Sequence, residues 1–64
     1  MTISKAELSS LETAIRELGE RVTTSADELL GTLNEDVAVD LYGVERSLRT
    51  ARRQIVKATE ALRE

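Results

Sequence analysis

The 64-residue chain contains no cysteine, histidine, proline, tryptophan or phenylalanine, a single tyrosine (Tyr42) and only three glycines. Each gap excludes something. Without cysteine there is no disulfide framework, no thiolate nucleophile and no zinc knuckle. Without histidine the usual general base and the commonest metal ligand are missing. Long apolar runs are missing too: the longest is Val37-Ala38-Val39, far short of the ~20 residues of a membrane span. The first ten residues carry Lys5 and Glu7 and no signal-like apolar stretch, so a cytoplasmic protein with no membrane contact is expected.

What is present points to helix. Apolar residues make up 41% and charged residues 33% of the chain. Isoleucine, leucine and valine number 17, too many for a disordered tail. A chain this short nevertheless buries only ~60% of its unfolded surface. Small folds add a disulfide, a metal or a partner, and this composition leaves the partner.

The apolar residues keep a heptad beat. In the first half, Leu8, Leu11, Ile15, Leu18, Val22, Ser25 and Leu29 alternate spacings of three and four; in the second, Val37, Leu41, Val44, Leu48, Ala51, Ile55, Ala58 and Leu62 do the same. Both are seams of helices that pack at a shallow angle. Ser4 and Glu7 have capping-box spacing, Gly31 suits a left-handed position after a helix, and Asn34 suits an N-cap followed by Glu35 and Asp36. The chain is therefore expected to be one all-α domain over 1–64, an antiparallel hairpin of helices at about 5–30 and 35–63. A turn near Leu33 pairs residues whose numbers sum to about 66, so that seam meets seam along the whole length.

An alternative is a three-helix bundle over 5–22, 26–42 and 44–63, because Val22-Thr23-Thr24-Ser25 is a poor helix former and Gly43 could end a middle helix. The positions flanking the seams are small: Ala14, Gly19, Ala26, Ala38, Ser47 and Ala61. Further apolar residues lie off the seam at Leu30, Leu33, Val39, Tyr42 and Val56. Small flanks admit a second helix pair, so the hairpin is expected to dimerise into a four-helix bundle.

Charge is segregated in the second half. Glu35, Asp36, Asp40 and Glu45 precede Arg46, Arg49, Arg52, Arg53 and Lys57, with no opposite charge inside either block. One explanation is purely structural, since acids early and bases late complement the dipole of a long helix. The functional explanation is a partner-binding face of Arg46, Arg49, Arg52, Arg53 and Lys57 with Tyr42 and Val39 beside them, gripping carboxylates of a protein. Phosphates of a nucleic acid are the alternative ligand, although a net charge of −3 and the absence of aromatics among the arginines weigh against it.

Catalysis has little to work with. Asp36 with Asp40 and Glu60 with Glu64 are carboxylate pairs at helical spacing, better read as solvated surface than as cation ligands. No glycine-rich phosphate loop is present. The expected function is a non-enzymatic protein–protein interaction module, an adaptor or regulator, with no cofactor, metal or small-molecule substrate. A nucleic-acid-binding hairpin and a purely structural oligomeriser are the alternatives.

Overall fold

A computed structural model describes residues 3–63. The chain forms two helices, α1 (Lys5–Leu29) and α2 (Glu35–Ala61), folded back on each other as a hairpin measuring 50 × 16 × 14 Å. The expected two-helix architecture holds and the three-helix alternative does not. α1 runs unbroken through Val22-Thr23-Thr24-Ser25, and α2 runs unbroken through Gly43. The Thr24 hydroxyl donates to the Glu20 carbonyl at 3.0 Å, a back-bond to the preceding turn that lets a polar β-branched residue stay inside a helix.

The helix ends follow local rules with one exception. Ser4 caps α1 as expected, its hydroxyl accepting from the Glu7 N–H at 3.1 Å. Gly31 takes φ +76°, a value that costs glycine nothing. Asn34 occupies the N-cap of α2, but its side chain makes no capping bond. Thr32 orders the turn instead: its hydroxyl donates to the Leu29 carbonyl at 2.6 Å and accepts from the Asn34 N–H at 3.1 Å. A hydroxyl that can donate and accept at once ties the end of one helix to the start of the next, which the capping preference of asparagine does not reveal.

The seam is rotated from its expected phase. Leu8, Ile15, Val22 and Leu29 on α1, Leu41, Leu48 and Ile55 on α2, and Leu62 at its C-cap are partly buried, as the heptads predict. The intervening positions are displaced by one residue. Glu12, Gly19 and Ala26 are turned inward rather than Leu11, Leu18 and Ser25; Ala38, Glu45, Arg52 and Thr59 are turned inward rather than Val37, Val44, Ala51 and Ala58, though Ala51 keeps partial cover. Leu11, Leu18, Val37 and Val44 stand 47%, 45%, 41% and 46% exposed. Among the described residues only Ala26 and Ala38 are fully buried. Small residues there let the backbones approach closely, and the hairpin closes around them.

The two side-chain links between the helices, Arg52–Glu12 and Tyr42–Asp27, join residues whose numbers sum to 64 and 69, on either side of the expected sum of about 66. The fully buried pair lies at the closed end beside the turn, whereas the facing residues toward the open end, Leu8 and Ile55, are only half-buried.

Candidate functional site

A step of three residues along a helix is 300°, so Leu11 and Leu18 lie 60° short of the inward Leu8 and Ile15. Val44 stands in the same relation to Leu41, and Val37 lies one residue, 100°, before the buried Ala38. Because the helices run in opposite directions, these rotations carry both sets to the same side of the hairpin. One broad side is therefore an apolar stripe of Leu11, Leu18, Val37 and Val44, bordered by Ala14, Ser47 and Ala58.

The residue after each inward position swings to the other side, which carries the charged side chains of both helices together with exposed Leu30, Val39 and Val56. The Tyr42 hydroxyl donates to Asp27 Oδ1 across the hairpin. Arg52 Nε donates to Glu12 Oε1 at 2.8 Å, again from helix to helix. Between these two links runs an open groove of about 410 Å³, floored by Ile15, Gly19 and Leu48 and rimmed by Arg16, Glu20 and Arg49. A Cβ placed on Gly19 would meet nothing within 4 Å, so the missing side chain contributes to the groove and does not serve close packing.

The expected partner-binding residues fall on this side or its outer edge, and they are not equally free. Arg49 donates from Nε to Glu45 Oε1 at 3.2 Å and from Nη2 to Glu45 Oε2 at 2.5 Å. That bond raises the pKa of its guanidinium above the ordinary arginine range, since a paired charge holds its proton more tightly. Arg52 is committed to Glu12. Arg53 makes only a 3.3 Å bond to Thr50 Oγ1. Arg46 lies back over Gly43, its Nη2 3.6 Å from where a Cβ there would sit. Neither Arg46, Arg53 nor Lys57 is in an ion pair among the described residues. Val39 is 64% exposed.

Tyr42 is a tie between the helices. Its hydroxyl pKa is raised above the ordinary tyrosine value, first by the hydrogen bond to Asp27, then by desolvation and by that carboxylate's charge. A phenolate beside Asp27 would lose the bond and face a like charge.

Sequence reasoning missed three acids that organise this side: Glu12, Asp27 and Glu45. The Glu45–Arg49 pair was visible as an i, i+4 spacing. Glu12–Arg52 and Asp27–Tyr42 become visible only with the register in hand. Among the described residues no three acidic side chains converge as a metal site would require, and no helix is long and apolar enough to cross a membrane. Comparison with protein-family models, with curated proteins and with solved structures returns no match for this chain.

Proposed function

We propose that the chain is a small non-enzymatic interaction module of the cytoplasm, a helical hairpin that completes its core by associating with a second hairpin into a four-helix bundle and offers its charged side to a protein partner. The observation that carries this reading is the uncovered apolar stripe together with the large surface of the chain as a whole. The chain exposes 4944 Å², whereas a compact monomer of 7.1 kDa would expose ~4,100 Å² by the usual mass scaling. The excess is on the order of 800 Å², about what each partner buries in a standard protein–protein interface.

The side-chain links between the helices, Tyr42–Asp27 and Arg52–Glu12, lie away from the stripe, which suits association between helices and not a polar ligand. On the opposite side, Arg46, Arg53 and Lys57 are the cations left to engage an acidic protein surface. That Arg49 and Arg52 are already neutralised by the chain's own carboxylates supports a protein partner over a nucleic acid, for which unpaired cations dominate affinity. Light scattering behind size exclusion tests the assembly: a mass of two chains is expected at micromolar concentration, with a melting temperature that rises with concentration. A mass of one chain with a concentration-independent melt rejects it.

A further inference from the structure

We infer that two copies of the chain pack head to tail, apolar side against apolar side, with the turn of each hairpin over the open end of the other. This rests on the self-association reading above and adds the orientation, which the distribution of charge decides.

The hairpin is strongly polarised along its length. Residues 18–45, the half containing the turn, hold seven acids and one base, a net charge of −6. The open half among the described residues, 3–17 together with 46–63, holds eight bases and four acids, a net charge of +4. Two hairpins facing each other with both turns at the same end would stack two strongly acidic halves. Reversing one hairpin puts acidic half on basic half.

Screening leaves charges within about a Debye length, ~8–10 Å, to decide the outcome, so the residues at the margin of the apolar side matter most. On α2 these are Asp36 and Asp40 near the turn, at helical positions on the outer edge of the stripe. A two-fold axis perpendicular to the helices and crossing α2 near Ser47 brings Asp36 and Asp40 to about the level of residues 54–58 of the second copy, within its basic half. The same axis passes beside Leu18 of α1. It sets Val44 next to the second copy's Ala51 and Val37 next to its Ala58, so larger residues meet smaller ones. The alternative axis, parallel to the helices, would instead bring Asp36 and Asp40 against the second copy's α1 near Glu28 and lose these pairings.

The absence of cysteine makes the test direct. Leu33 at the tip of the turn is fully exposed, at 101%, so L33C carrying a nitroxide label disturbs no packing. Light scattering reports the mass, and double electron–electron resonance reports the distance between the two turns. The head-to-tail arrangement predicts a dimeric mass and a turn-to-turn distance of ~40 Å, about the length of one helix at 1.5 Å per residue. A dimeric mass with a distance below about 20 Å, the spacing of neighbouring helices plus label arms, overturns the orientation and leaves self-association standing. A monomeric mass with no dipolar coupling overturns both.

Discussion

The two broad sides of this hairpin are built from the same two helices and differ in nearly everything else. One side is laced by the Tyr42–Asp27 and Arg52–Glu12 links and carries a groove edged by charged side chains. The other is an uncovered stripe of leucine and valine. A step of one residue around each helix separates the two. The polar links hold the helices in register and give the hairpin a defined geometry in water, while the stripe keeps the apolar area that a two-helix protein cannot bury by itself. The links that fix the helices and the exposed apolar stripe are thus placed on opposite faces.

The contrast can be broken most severely at the line where the two sides meet. Leu48, half-buried between the helices, belongs to both; Leu48→Asp puts a charge where no partner exists and should cost ~3 kcal/mol or more, seen as loss of the far-ultraviolet helical signal at room temperature. Next is Leu18→Asp on the apolar side. It should lower association by about 2 kcal/mol, raising the dissociation constant roughly thirtyfold in light-scattering titrations, while each hairpin keeps its helical spectrum at high concentration. If Leu18→Asp instead unfolds the chain as Leu48→Asp does, the two sides are not separable.

The charged side answers to smaller changes. Gly19→Ala places a methyl in empty space and removes the flexibility penalty of a mid-helix glycine, so the melting midpoint should rise by ~0.5–1 kcal/mol in stability. A double-mutant cycle on Glu12 and Arg52 should return a coupling of no more than ~1 kcal/mol, because both side chains remain partly exposed to water. The smallest effect follows from Tyr42. Its folded pKa lies above the unfolded value, so its contribution is fully present below about pH 10 and disappears as pH rises through the raised value. A phenolate absorbance titration should show that raised midpoint, and Asp27→Asn should bring it back down.

Much of the fold was readable from residue type and spacing. Heptad periodicity defines two long helices, Ser4 marks the first start and Gly31 the turn, and all three appear where expected. The phase of the seam was not readable, and the reason is physical. Counting apolar residues asks which face avoids water most, and for α1 that answer includes Leu11 and Leu18. Helix approach asks which residues let two backbones come close, and that answer is Ala26 and Ala38. In a hairpin with so little core, close approach wins and the face turns by one position. The candidate site followed from that turn: Tyr42 was recognisable as unusual, but its tie to Asp27 and the commitment of Arg52 to Glu12 depend on a rotation and a register that no single residue encodes.

The gradient from fully buried Ala26 and Ala38 at the closed end to half-buried Leu8 and Ile55 at the open end has a kinetic meaning. Contacts beside the turn join residues about a dozen apart in sequence, while Arg52 and Glu12 are separated by 40. Loop-closure entropy rises with that separation, so the helices should zip from the turn outward and fray in the reverse order. Amide exchange would then be slowest around Ala26 and Ala38 and quicken toward Leu8 and Ile55, unless the tip of a second hairpin lies across that open end and holds it shut.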